Sequence, residues 1–280
     1  MSLRGTVPLT ATIMLAAVAT AHAAPFSYSD FSSTAGLQLN GAAAAATDGG
    51  GRKVLRVTPS AFNQSGSAFS TTAISLSNAA SFSTFFNFNI NTPDGIGDDD
   101  GQGADGLVFV VQPNSNSAGG AGGGLGYDGI DNSIGIEFDT YNNGFGDADN
   151  GNHVGVDWYG FTDSIELVPV ATRFNDGDDW SVWIDYDGAS QTLEVRLAFG
   201  LNAPRPSDAL ISTELDLADI LGTTDAYVGF TSGTGSGYGN HDIVSWQFND
   251  DFAPIGAPAP FAVALLGLGI LGLGGLRRFR

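Results

Sequence analysis

Ala80-Ser81-Phe82-Ser83-Thr84-Phe85-Phe86-Asn87-Phe88-Asn89-Ile90 alternates apolar with polar residues over much of its length. A period of two sends successive side chains to opposite faces, so the run reads as a strand with one face in a core. Similar runs surround it. Ile134–Asp139, Val154–Trp158, Trp180–Tyr186, Leu193–Leu197, Ala226–Phe230 and Asp242–Phe248 alternate, and Leu55–Val57 is a shorter case. Leu107-Val108-Phe109-Val110-Val111 is apolar throughout and reads as a strand buried on both faces. Asp187-Gly188 between two runs is a hairpin signal. Between the two end segments no long stretch shows helical periodicity, and the turns are rich in Gly, Ser, Thr and Asn. Many short strands with Gly-rich turns predict an all-β, antiparallel jelly-roll or β-sandwich domain.

The ends read differently. Arg4, the apolar run Ala11–Ala19 and Ala21-His22-Ala23 have the layout of a signal peptide cleaved after Ala23. Pro258-Ala259-Pro260 precedes a 16-residue apolar, Gly-rich stretch, Phe261–Leu276, and then Arg277-Arg278-Phe279-Arg280. This order resembles the PEP-CTERM sorting tails of Gram-negative bacteria, although Ala257-Pro258-Ala259-Pro260 replaces the usual Pro-Glu-Pro. The expectation is a signal peptide over 1–23, one domain over 24–251, and a sorting tail with a short apolar transmembrane helix over 252–280. The tail would anchor the chain in the inner membrane before processing, and the protein would be exported to the cell surface, outer membrane or exterior.

Cysteine is absent, so an exported domain of this kind relies on core packing in place of disulfides, with bound metal as a further source of stability open to it. All 30 acidic residues lie between the two end segments, against six basic ones, which leaves the domain near −24. That sign excludes nucleic acid as a partner. The acid is unevenly spread. From Val57 to Thr172 there is no Lys or Arg, while 14 Asp and Glu fall between Asp94 and Glu166. Bound cations could neutralise what protein cations cannot reach.

Within that segment, Ile136-Glu137-Phe138-Asp139-Thr140-Tyr141-Asn142-Asn143 is followed by Asp147, Asp149 and His153. Strand alternation puts Glu137, Asp139 and Tyr141 on one face with Asn143 next in phase. Carboxylates, an Asn carbonyl and a backbone carbonyl are the oxygen ligands that Ca2+ prefers, and a carboxylate–carboxylate–imidazole set suits a second ion such as Mn2+. The residues alone leave a second reading open, a solvated acidic strand edge with a surface histidine.

The segment resembles the metal-binding loop of the legume-type (L-type) lectins, which fold as concanavalin-like jelly-roll sandwiches. Their pattern is Glu-x-Asp-x-aromatic-x-Asn, an Asp, then His before an apolar Gly-x-Asp strand. Here it is carried by Glu137, Asp139, Tyr141, Asn143 and His153-Val154-Gly155-Val156-Asp157. The family's Asp five residues before the His falls on Ala148, so Asp147, which keeps the spacing after Asn143, and Asp149 compete for the role. The resemblance extends over Phe31–Gly41, Ala80–Ile90, Ala104-Asp105-Gly106-Leu107, Gly122–Gly126, Val182–Tyr186 and Asn240–Trp246.

The resemblance implies a sugar site built from four loops. Asp105, after a cis peptide bond, would accept from sugar hydroxyls. Gly123 or Gly124 would donate a backbone N–H, and Asn143 would bond both sugar and calcium. Tyr141 would give its carbonyl to calcium and its ring to the sugar, and the loop from Thr234 to Tyr238, with Gly235 and Ser236, would set specificity. A non-enzymatic, calcium-dependent glycan-binding protein follows, open to homo-oligomerisation. Two alternatives stand beside it. One is a glycoside hydrolase on the same fold; the related hydrolases carry a second Glu where this chain has Tyr141. The other is a structural matrix protein. Asp98-Asp99-Asp100 reads as a solvated loop.

Overall fold

The computed structural model describes residues 25–119 and 124–256. The expected signal peptide, apolar tail and transmembrane helix, and Gly123, lie outside the described residues. The described chain is an all-β sandwich of antiparallel sheets.

The back sheet runs β16 (Ile211–Glu214), β15 (Thr192–Phe199), β14 (Asp179–Asp187), β7 (Phe82–Gly95), β18 (Gly237–Asn249), β4 (Lys53–Thr58) and β3 (Ala44–Thr47), with β1 (Phe26–Tyr28) also paired to β18. The front sheet runs β13 (Glu166–Pro169), β12 (His153–Trp158), β11 (Ile134–Asp139), β10 (Gly106–Gln112), β17 (Asp225–Gly233), β5 (Ser65–Ser70) and β2 (Leu37–Gly41), with β6 (Ile74–Ser75) on β17. A small hairpin, β8 (Gly97–Asp98) and β9 (Gly101–Gln102), stands apart. Two short helices, α1 (Ser77–Ala80) and α2 (Leu217–Leu221), complete the described chain. Neither is long or apolar enough to cross a membrane.

The alternating run at 80–90 forms most of β7. Phe82, Phe86 and Phe88 face the other sheet and meet Phe109, Phe138 and Phe230 in a contiguous aromatic core. Such rings supply most of the buried apolar area, which the sandwich needs without disulfides. The sequence suggests that the opposite face of β7 meets solvent, but Phe85 is also fully buried, against Trp183 at 5.1 Å. The segment after β15 crosses this face. Asn202 N–H donates to Asn87 Oδ1 (3.0 Å), Ala203 N–H to Ser181 Oγ (3.0 Å), and Arg205 to Asp185 Oδ2 (2.8 Å). That route passes over Trp183 and seals both rings.

The uniformly apolar β10 is buried on both faces, as its sequence predicts. Leu107, Phe109 and Val111 belong to the core between the sheets. Val108 and Val110 point outward and pack with Phe69 under Leu125, Tyr127 and Ile130. Residues 124–130 are therefore clamped onto the outer face of the front sheet by their own apolar side chains.

Candidate functional site

Strand register brings the singled-out residues to one end of the sandwich. Asp139 lies opposite His153 and also opposite Gly106, and Gly106 lies opposite Gly233. The end of β11, the start of β12, the start of β10 and the end of β17 thus converge. Glu137, Asp139 and His153 are all buried and place one ligand atom each within 4.8 Å of one another. His153 Nε2 lies 3.1 Å from Glu137 Oε1. Asp139 Oδ1 accepts from Tyr141 N–H at 2.7 Å, which turns the chain as the strand ends.

Asp147 closes the group. It is 7% exposed, sits on a 3-10 turn over Phe145–Asp147, and accepts from Asn143 N–H through Oδ2. Asp149 is exposed and lines a separate cleft with Asp98, Asp100 and Arg173. Of the two competing residues, the structure brings Asp147 to the acidic group and leaves Asp149 outside it. Tyr141 is half-buried and Asn143 exposed at the mouth.

Ser164, which sequence reasoning passed over, supports Glu137. Ser164 Oγ lies 2.7 Å from both Glu137 Oε1 and Asp157 Oδ1. Gly155, opposite Glu137, makes room for this contact, since a Cβ there would collide with Ser164 Oγ and Glu137 Oε1. Asp157, already part of the Gly-x-Asp strand motif, shares the strand face of His153. Ser164 lies in the loop before β13 and carries no local signal.

The electrostatics are those of a carboxylate cluster lacking a counter-charge. Burial and then Glu137 push the Asp139 carboxyl well above its usual range, and the same two causes act on Asp157. Asp147 is raised by burial. Among the described residues, the arginine ion pairs lie elsewhere: Arg52 with Asp48 and Asp179, Arg56 with Asp242, Arg173 with Asp100 and Asp176, Arg196 and Arg205 with Asp185. The shortage of basic partners seen in the sequence therefore holds in three dimensions.

Asp105 sits beside this group. The Ala104–Asp105 peptide bond is cis. The backbone of Asp105 is tied to its neighbours, its N–H donating to Gly233 O (3.3 Å) and its carbonyl accepting from Thr140 N–H (3.0 Å). Its side chain has no such ties: Oδ2 is buried with no partner. Burial, with a smaller contribution from Asp147, pushes this carboxyl up to about 7. Gly235 faces it, the position of a Cβ there lying 3.8 Å from Asp105 Oδ2. Ser236 is exposed beyond. Gly124 accepts from Tyr127 N–H and Asp128 N–H at 2.8 and 2.9 Å, and a Cβ on it would press into Asp128.

A polar chain beneath the site links the two sheets. Ser232 Oγ donates to Gly106 O at 2.7 Å. Its single proton is thereby used, so Thr58 Oγ1 donates to Ser232 (2.8 Å) and His241 Nδ1–H donates to Thr58 (2.8 Å). All three side chains are fully buried, and His241 Nε2 has no partner. Burial, with Arg56 adding a smaller contribution, pushes the His241 imidazole down to about 3.

The unfolded chain protonates this residue below its ordinary 6.5 and the folded chain does not. Stability supplied by neutral His241 is therefore complete above that value and drains away as pH falls toward 3, by up to about 1.4 kcal/mol per pH unit. Buried carboxyls with raised values act in the opposite sense, so a variant isolates the histidine. Urea midpoints at about pH 7 and about pH 5 should fall further for wild type than for His241→Gln, and equal falls would refute the assignment.

The two-sheet sandwich, with an acidic group and an unpaired aspartate at one end, is a lectin-like fold. The legume lectin domain profile matches residues 23–258, and the chain belongs to that family. It is 34% identical over 227 residues to L-type lectin-domain containing receptor kinase VIII.1 of Arabidopsis thaliana, covering 76% of this chain and 29% of the kinase, so it spans under a third of that relative. Lectin II from Ulex europaeus superposes with a TM-score of 0.65 at 27% identity, over 81% of this chain and 98% of the lectin. Basic winged bean lectin, solved with the Tn antigen, gives 0.65 at 28% identity over 80% and 96%.

Proposed function

We propose that this domain is a non-enzymatic, metal-dependent glycan-binding module of an exported protein. The observation that carries the reading is the pairing of two features: a buried Glu137–Asp139–His153 group within ion-binding reach, and the buried, unpartnered carboxylate oxygen of Asp105 beside it. The donor set fits divalent cations. Glu137, Asp139, Asp147 and His153 would hold Mn2+; Asp139, Asp147, Asn143 and the Tyr141 carbonyl would hold Ca2+. Bound cations would supply positive charge to the cluster and fix the loop from Thr140 to Asp147.

The chain's own groups would do the recognition. Asp105 accepts hydroxyl protons, Asn143 and the Gly124 segment offer further polar contacts at the mouth, and Tyr141 supplies a ring for the apolar face of a sugar. The Ulex europaeus lectin II relative, whose fold this chain shares, is also solved in complex with galactose, which supports the substrate class. Family membership and the substitution of Tyr141 for a second glutamate favour binding over hydrolysis. The signal-like and tail-like ends support export and surface display.

A glycan array probed in Ca2+ and Mn2+, then in EDTA, tests the reading. Binding to at least one glycan in metal and to none in EDTA is expected. Binding that survives chelation would remove the metal from the proposal, and silence in both conditions would remove the lectin.

A further inference from the structure

The turn that leaves β12 exposes three aromatic rings within four residues: Trp158 at 39%, Tyr159 at 38% and Phe161 at 62% exposure. It lies at the far end of the front sheet from the acidic group. Trp158 pairs with Ile134, whereas His153, at the other end of the same strand, pairs with Asp139. Five strand steps, roughly 17 Å, separate the two ends. Neither the acidic group nor Asp105 uses these rings.

The turn is held from below. Tyr159 N–H donates to Ser133 O (2.8 Å), Gly129 N–H to Gly160 O (2.9 Å) and Phe161 N–H to Trp158 O (3.1 Å). The buried Tyr127 hydroxyl accepts from Gly160 N–H at 3.3 Å. Gly160 packs so closely on Ile130 that a Cβ would lie 2.6 Å from the Ile130 nitrogen. Tyr159 takes a φ of 54°, in the left-handed region that is unfavourable for an aromatic residue. These bonds therefore hold a backbone that the local sequence resists, and its result is a set of fixed rings turned toward water. Exposed aromatic groups gathered and fixed in this way mark a contact surface.

The surroundings select the partner. Gly129, which bonds the turn, also lines a cleft of about 250 Å3 with Asn114, Asp128 and Asp131. No Lys or Arg occurs between Val57 and Thr172. Nucleic acid and anionic lipid would meet carboxylates there and no cation from this stretch of chain. Carboxylates and an amide beside aromatic rings suit a neutral polyhydroxylated chain, whose hydroxyls donate and whose C–H faces stack on the rings. The Trp158 and Tyr159 centroids are 5.7 Å apart, close to the repeat of one hexose in an extended chain, and the rings are tilted by 46°. That tilt matches a single twisted chain better than a flat polymer surface. We infer that Trp158, Tyr159 and Phe161 form a second, metal-independent surface that binds a neutral β-1,4-linked hexose chain. The inference stands apart from the metal-dependent reading of the Asp105 site and does not rest on it.

Calorimetric titration with cellohexaose and with β-1,4-mannohexaose, both in EDTA, tests it. Wild type should bind at least one of the two. Phe161→Ala and Trp158→Ala should each weaken that binding by about three- to ten-fold, the scale of one aromatic contact. Phe161 is the most exposed of the three rings, so Phe161→Ala should melt as wild type does and keeps the test free of folding effects. Asp105→Ala should bind the hexasaccharide at full strength. Failure of both hexasaccharides to bind wild type in EDTA, or equal affinity in both ring variants, would overturn the surface and leave the Asp105 site standing. Binding lost in Asp105→Ala would assign the hexasaccharide to that site and overturn the second one. A wild-type dimer that Phe161→Ala converts to monomer, or adsorption to phosphatidylcholine vesicles that Phe161→Ala removes, with no hexasaccharide bound, would give the rings to a second copy or to a membrane and overturn the proposal.

Discussion

Asp139→Asn should abolish metal binding and glycan binding together while leaving a folded sandwich. Asp139 is central to the acidic group: fully buried, opposite His153, and subject to repulsion from Glu137, Asp147 and Asp105. The amide keeps the shape and the acceptor for Tyr141 N–H, so the turn at the strand end survives. It removes the charge a divalent ion needs. Without metal, wild type confines like charges in a water-poor site, and the variant relieves them. In metal, wild type gains linkage stabilisation of about 2.7 kcal/mol when the ion is at a hundred times its dissociation constant.

The order of stability should therefore cross. Wild type melts higher than Asp139→Asn in Ca2+ and Mn2+, and the variant matches or exceeds wild type in EDTA. Thermal melts in the two conditions, with calorimetric titration of each ion, decide it. A variant that titrates like wild type would mean that Asp139 holds no ion.

Legibility in the sequence followed locality. Glu137, Asp139, Tyr141, Asn143 and His153 were readable because a strand's period of two and a short loop keep them within 17 positions of one another. The sandwich itself was readable for the same reason, since β7, β11 and β14 carry their alternation in plain view. Contacts set by register across strands were hidden. Ser164 meets Glu137 because β12 and β13 pair as they do, and Thr58 meets His241 over a separation of 183 residues. The choice between Asp147 and Asp149 depended on a 3-10 turn that leaves one buried and the other exposed. The buried outer face of β7 was equally hidden, because the segment that covers it lies over a hundred residues away in the chain.

Asp105→Ala should separate sugar from metal. The carboxylate lies beside the Glu137–Asp139–His153 group and is not part of it, and its Oδ2 has no partner. A buried acceptor in that condition is an incomplete hydrogen-bonding site, which on the proposed reading a sugar hydroxyl would complete. Bound cations beside Asp105 would hold its carboxyl ionised, and hydrogen bonds to a charged acceptor are worth about 1.5–3 kcal/mol each, so losing two should weaken glycan binding by about a hundred-fold or more. The backbone bonds of residue 105 to Gly233 and Thr140 do not involve the side chain, so the loop keeps its anchors and the domain stays folded. Ion titrations should give wild-type stoichiometry.

A reducing-sugar assay on β-glucans should read zero for wild type and for the variant. Turnover by wild type that Glu137→Gln stops would replace the binding module with a hydrolase. An Asp105→Ala protein that binds its glycan at full strength would move the sugar site elsewhere on the sandwich. Loss of ion binding in the same variant would place Asp105 among the ligands of the metal.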